Sequence, residues 1–172
     1  MKKLIFMFIL SLISICATAP AYPVDIQKLY EEWNNRIFIR QIYDQDFSAE
    51  NLQRLIKILC KHPDIVYAQA RLESGEFKSR LFLDYNNLFG MKVPGVRPTT
   101  AIGWAMGHAA YKHWSESVYD YMLYQQYYEH WLKIDFNHID YFYFLKMYGY
   151  AGDPYYIKKL KIKLENNYEL DN

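Results

Sequence analysis

The sequence predicts a mainly α-helical domain carrying one small β-hairpin, and three observations predict it. Beyond residue 24, apolar side chains recur at three- and four-residue intervals almost throughout. The 172 residues are 52% hydrophobic, the size of one globular domain with enough apolar surface to bury a core. A single stretch, from Asn86 to Gly103, breaks the helical period with Gly90, Pro94, Gly95, Pro98 and Gly103.

The first element is a processing segment. Lys2 and Lys3 precede an apolar run from Leu4 to Ile15, followed by Ala17, Ala19 and Ala21. That run reaches about 18 Å as a helix, short of a bilayer core of about 30 Å, so it reads as an export signal and no membrane span is expected. Ala19-Pro20-Ala21 places cleavage before Tyr22. Cys16 also stands where a lipidated cysteine would, although Ile15 is bulky where that signal prefers a small residue. The expected location is outside the inner membrane, in the periplasm or cell envelope. After cleavage Cys60 is the remaining cysteine, and within Ile58-Leu59-Cys60 it reads as a small buried hydrophobe; no disulfide framework, metal site or cofactor is expected.

The helices follow in order. Asp25 to Arg36 places Ile26, Leu29, Tyr30 and Trp33 on one face. Ser48 caps a helix carrying Leu52, Leu55, Ile56 and Leu59, which ends at Lys61. Pro63 opens a third, with Ile65, Ala68 and Leu72, stopping at Ser74-Gly75. The Asn86–Gly103 stretch reads as a loop with a small hairpin, its extended pieces at Val93, Val96 and Thr99-Thr100. Helices then run at about Trp104 to Trp114, Ser117 to Trp131, His138 to Tyr148 and Pro154 to Asn166, the last capped by Asp153. The corresponding division is a signal segment over 1–21, a helical extension over 22–47, the main domain over 48–166 and a tail over 167–172.

Net charge is +1, and −1 once Lys2 and Lys3 are removed, which excludes the basic excess of a nucleic-acid binder. Aromatic residues make up 19% of the chain, led by 18 Tyr, a type suited to wet grooves and core margins. Chemistry concentrates where the third helix ends. Glu73 falls in its final turn, where the helix dipole opposes a negative charge and aromatic neighbours would desolvate it. Both effects raise a carboxyl pKa and suit a general acid; a solvated glutamate at a frayed helix end is the alternative.

Four motifs occur in order: His62-Pro63-Asp64-Ile65-Val66; Gln69-Ala70-x-Leu72-Glu73-Ser74-Gly75-x-Phe77-x-Ser79; Asn86-Asn87-Leu88-Phe89-Gly90-Met91-Lys92; and Tyr150-Ala151-x-Asp153-Pro154-x-Tyr156. With them the chain resembles bacterial glucosaminidase-domain proteins over about residues 48 to 165. That family includes peptidoglycan-cleaving autolysins and flagellar muramidase-like hydrolases, in the lysozyme-like superfamily. The resemblance implies a lysozyme-like helical domain whose hairpin lobe lies beside a substrate groove. It implies an endo-β-N-acetylglucosaminidase acting as a monomer on peptidoglycan or a related glycan. Glu73 matches the catalytic acid, which protonates the leaving oxygen of a β-1,4 bond after N-acetylglucosamine.

By the same resemblance Tyr150 matches the active-site tyrosine, and Gln69, Asn86, Asn87 and Phe89 match residues at the sugar groove. Asn86, Asn87 and Phe89 read equally well as a tight turn with an interior ring, and Tyr150 as a core-edge tyrosine. Asp153 reads as a helix cap rather than a catalytic carboxylate. The cluster Tyr119, Tyr121, Tyr124, Tyr127, Tyr128 and Trp131 reads as packing, as do Trp104, His108 and His113.

The sequence departs from the family in having no Asp or Glu between Met91 and His113, where many members carry a second acidic residue. Glu76, Asp84 and Glu116 are the nearest substitutes and read as surface charges; assistance by the substrate's own acetamido group is the favoured alternative. A lytic transglycosylase, which needs one acid and no water, and a non-catalytic wall-binding domain remain the other two readings.

Overall fold

The computed structural model describes residues 26–170. The expected signal segment, its cleavage junction and Cys16 lie outside the described residues. The chain divides after Arg36 into two units, and residues 26–36 of the first are helical. Helix α1 spans Ile26–Gln41, continuing past the expected end at Arg36, and is followed by a 3-10 turn at Ile42–Asp44.

The second unit begins at Ile37 and holds the remaining elements. Helix α2 spans Ala49–Leu59, with the Ser48 hydroxyl accepting from Asn51 N at 3.1 Å. Its Leu52, Leu55 and Ile56 are fully buried, a face that stabilises the fold by roughly 1.5–3 kcal/mol per side chain. Helix α3 spans Pro63–Glu73, with the proline in its first turn where no amide hydrogen is needed. It packs against α7 (Tyr156–Leu170) more extensively than any other described pair of elements. Between them in sequence lie α4 (Arg80–Tyr85), capped by Ser79; α5 (Trp114–Trp131); and α6 (Tyr141–Met147), capped by Asp140. Val66, Val118, Tyr121, Phe144 and Leu160 bring α3, α5, α6 and α7 into one core. Cys60 is buried in it, and burial pushes its thiol far above the ordinary range, so it is an inert packing residue.

Two expectations are corrected. No helix occupies 104–114: β1 (Gly103–Ala105) and β2 (His108–Ala110) form an antiparallel hairpin there, with Trp104 opposite Ala109. Met106 and Gly107 take φ of +53° and +78°, the left-handed pair that a two-residue hairpin turn requires. The apolar spacing of 104–114 imitates a helix, but Gly103 and Gly107 favour the turn. The extended pieces expected at Val93, Val96 and Thr99-Thr100 form no ladder. In addition, α4 was not expected, α5 begins at Trp114 rather than Ser117, and α7 continues through the tail to Leu170. Among the described residues no helix is long and apolar enough to cross a membrane.

The hairpin is tied down from below. Ala109 N donates to Met91 O at 2.8 Å, and Tyr111 N donates to Tyr85 O at 3.0 Å. The preceding loop is anchored to α5 by Arg97, whose guanidinium donates to both carboxylate oxygens of Asp120, at 2.7 and 3.2 Å. The Tyr111 hydroxyl donates to the same carboxylate at 2.7 Å.

Candidate active site

Glu73 is the last residue of α3, and the chain turns sharply beyond it. Gly75, Glu76 and Phe77 all have φ near +60°, at 57°, 56° and 62°. For the two that are not glycine, this costs about 1–2 kcal/mol each. Local contacts offset the strain. The Ser74 hydroxyl donates to Ala70 O at 2.6 Å and accepts from Phe77 N at 3.0 Å. Phe77 packs on Phe47 at 5.0 Å between ring centres. Glu76 pairs with both Arg71 and Lys163, which bolts the turn to α7. Burial pulls the Glu76 carboxyl upward, but hydrogen bonds from Lys163 and Arg71 outweigh it and hold the pKa below the usual value.

Glu73 behaves in the opposite sense. Burial raises its pKa above the usual 4.5, and a hydrogen bond from Tyr156 and the proximity of His108 only partly counter that rise. Gly90 closes over the carboxyl: with φ of +62°, a Cβ built there would stand 3.1 Å from Glu73 Oε2. Gly90→Ala is therefore expected to lose about 1–2 kcal/mol of stability through the left-handed backbone alone. The added methyl would also press on the carboxyl, so activity should fall more than stability explains. Comparing urea unfolding with initial rates separates the two effects.

The residues expected at the site are brought together, with unequal access. The Tyr150 hydroxyl donates to Phe89 O at 2.9 Å and lies close to Met91 Sδ, and the ring stacks on Tyr156 at 5.7 Å. Burial pushes its phenol well above the ordinary value, and the nearby Glu73 charge adds to this, so Tyr150 stays protonated. Asn86 ends α4 in the left-handed conformation, its amide donating to Tyr111 O at 3.1 Å. Asn87 is 1% exposed, and its amide is consumed by backbone: it donates to Met91 O and Ala109 O, at 3.0 and 2.7 Å, and accepts from Phe89 N and Met91 N. Phe89 is also 1% exposed, packed 4.5 Å from the Tyr121 ring, which leaves no free face for a sugar. Gln69 is fully buried between Tyr156 and Tyr121. Of the two readings of the Asn loop, the geometry realises the tight turn with an interior ring.

Asp153, Asp84 and Glu116 are occupied. Asp153 accepts from Tyr155 N at 2.8 Å and pairs with Lys159 at the start of α7, the capping role expected of it. Asp84 pairs with Arg80, and Glu116 accepts from Lys112 N. Two residues gain importance that the sequence did not assign. Tyr156, named within a motif but given no role, accepts from Gln69 at 3.1 Å and holds the Glu73 pKa down; His108, read as packing, sits on β2 and acts on the Glu73 carboxyl electrostatically. The order Tyr150 to Tyr156 contained the first signal. Nothing local marked His108, because the hairpin that carries it read as a helix.

A mainly helical domain with one small antiparallel hairpin, carrying a half-buried carboxylic acid at a helix end, has the lysozyme-like form. The glucosaminidase family model, described as mannosyl-glycoprotein endo-beta-N-acetylglucosaminidase, matches residues 49–169, and the chain belongs to that family. The domain is thus a glycosidase-family domain directed at glycans. No curated protein and no solved structure matches the chain.

Proposed function

We propose that the protein cleaves the β-1,4 bond after N-acetylglucosamine in peptidoglycan, with Glu73 as the general acid. The observation that carries this reading is the combination at Glu73 of partial burial, a raised pKa and the close approach of Gly90. A carboxyl that holds its proton to higher pH than an ordinary glutamate can deliver it to a leaving glycosidic oxygen. Tyr150 stays neutral beside it and steadies the Phe89–Met91 loop. Gln69, Asn87 and Phe89 serve in support, holding Tyr156 and the loop rather than touching sugar, and Asn86 secures the hairpin lobe.

The second catalytic group is the substrate's own acetamido oxygen. Glu76, Asp84 and Glu116 are each held by another partner, which favours this route over a second carboxylate. The same observation keeps a lytic transglycosylase as the second reading, since it too needs a single acid. Export to the periplasm or envelope, by cleavage before Tyr22, would place the enzyme with this polymer.

Digestion of purified peptidoglycan followed by mass spectrometry tests the reaction. Products ending in reducing N-acetylglucosamine are expected; 1,6-anhydro-N-acetylmuramic acid would establish the transglycosylase instead. No cleavage, with equal polymer binding by the wild type and Glu73→Gln, would leave a binding domain. Asp153→Asn should retain most activity in the same assay, because asparagine caps helices as well as aspartate does.

A further inference from the structure

One face of α5 carries a strip of aromatic rings that starts at the site and runs outward into solvent. Tyr124, Tyr127, Tyr128 and Trp131 fall at the three- and four-residue spacing that puts side chains on one side of a helix. Ring contacts join the strip to the site at its inner end. Tyr124 lies 5.9 Å from Tyr150, whose hydroxyl donates to Phe89 O, and the next residue is the Gly90 that closes over the Glu73 carboxyl. From Tyr124 the contacts continue 4.9 Å to Tyr128, then 5.5 Å to Tyr127 and 4.7 Å to Tyr148, the residue after α6. Exposure rises along the same line. Tyr121 is fully buried; Tyr124, Tyr127 and Tyr128 are partly covered; Tyr148 is 40% exposed and Trp131 is 69% exposed. From Tyr124 to Trp131 the helix rises about 10 Å, the length of a disaccharide.

Packing accounts for the inner rings and not for the outer ones. Tyr124 is enclosed by Tyr121, Phe144 and Tyr150, and the Arg97 guanidinium stands over it at 5.9 Å. Tyr148 and Trp131 keep much of their surface in water, and a contiguous run of such rings marks a surface that something covers. Chemistry and size narrow the occupant. Indole and neutral phenol rings present flat apolar faces edged by hydrogen-bonding groups, which suit the C–H face and hydroxyl rim of a pyranose. Burial raises the Tyr128 phenol above its ordinary value, so it stays neutral. Four rings in a strip one helix wide, two of them mostly covered, fall short of the about 800 Å² per partner that a stable protein interface takes.

We propose that Tyr127, Tyr128, Tyr148 and Trp131 form a stacking platform for the glycan strand, receiving sugars beyond those at the scissile bond and giving the enzyme a preference for long strands. The inference rests on reading the Glu73 site as one that takes N-acetylated sugar polymers. A polymer held at Glu73 has to leave the site over a neighbouring surface, and the α5 strip begins in ring contact with the site. The packing role expected of Tyr127, Tyr128 and Trp131 is thereby revised; it stands for Tyr121 and Tyr124.

Peptide-free strands of two and eight alternating N-acetylglucosamine and N-acetylmuramic acid residues, titrated calorimetrically into the Glu73→Gln protein, test the platform. The longer strand should bind about tenfold tighter or more. In the same background Trp131→Ala and Tyr148→Ala should each weaken its binding about 3- to 10-fold and leave the disaccharide unaffected. Trp131→Phe, which keeps a ring, should retain most of the affinity. Tyr143→Ala, which removes a 54% exposed ring on α6 outside the strip, should change neither affinity. Equal affinity for the two strands overturns the proposal, as does undiminished binding of the long strand by folded Trp131→Ala and Tyr148→Ala. Dimerisation of the wild type that Trp131→Ala abolishes would assign the strip to a second copy of the chain and overturn it equally. If the wild type leaves the eight-sugar strand uncut, the proposed reaction fails, while the length dependence of binding still decides the platform.

Discussion

Glu73→Gln is expected to reduce glycan cleavage by about 10²- to 10⁴-fold or more and, at neutral pH, to raise the melting temperature. The amide keeps the shape of the side chain, but it has no proton to give to a leaving oxygen. The gain in stability follows from the direction of the pKa shift. Because burial raises the Glu73 pKa above 4.5, the folded state binds the proton more tightly than the unfolded chain does. Its favourable contribution is complete below that value and is lost as pH rises through the folded-state pKa. The variant carries no such penalty, so its melting temperature should exceed that of the wild type at pH 7 to 8 and converge with it in acid. Initial rates and thermal melts across pH check both halves; a variant less stable than the wild type at pH 8 would show that burial of the charge is not the governing effect.

Asp120→Asn is expected to destabilise the protein by about 3–5 kcal/mol, the largest loss of stability among the single changes considered. The Asp120 side chain is fully buried and that of Arg97 is 5% exposed. Removing the carboxylate charge leaves a guanidinium enclosed without its counter-ion and replaces one acceptor of the Arg97 fork by an amide that can only donate. The Tyr111 hydroxyl, which shares this carboxylate, loses part of the same support. Urea denaturation measures the loss. Since the pair ties the loop before β1 to α5, hydrogen exchange in the 92–102 segment should quicken more than in α2. Replacing both Arg97 and Asp120 with apolar residues of similar volume should recover much of the loss, because a buried pair is costly chiefly when broken.

The helices that were legible in the sequence are those whose own residues suffice to specify them. Leu52, Leu55 and Ile56 lie on one face at helical spacing, Ser48 supplies the side-chain acceptor, and α2 forms where the spacing puts it. Pro63 and the left-handed residues after Glu73 bound α3 in the same local way. The hairpin was misplaced for the converse reason. Residues 104–114 have an apolar rhythm compatible with a helix, and what holds them extended is a set of partners distant in sequence: Met91 O for Ala109 N, Tyr85 O for Tyr111 N, and the Asn87 amide for Ala109 O.

The site divides along the same line. From the sequence alone came the acid candidate, because a glutamate in the last turn of a helix before Gly75 is opposed by the helix dipole whatever surrounds it, and the order of four motifs fixed its family. Tertiary structure decided everything that depends on burial and on direction. It turned Asn87 and Phe89 inward and brought Gly90 over the Glu73 carboxyl. It paired Glu76 with Arg71 and Lys163 and joined Gln69 to Tyr121 and Tyr156. A hydrogen bond between residues 87 positions apart, such as that from Gln69 to Tyr156, leaves no periodic trace in a sequence, since the donor and acceptor are each ordinary where they stand and acquire their meaning only when the core brings them within reach.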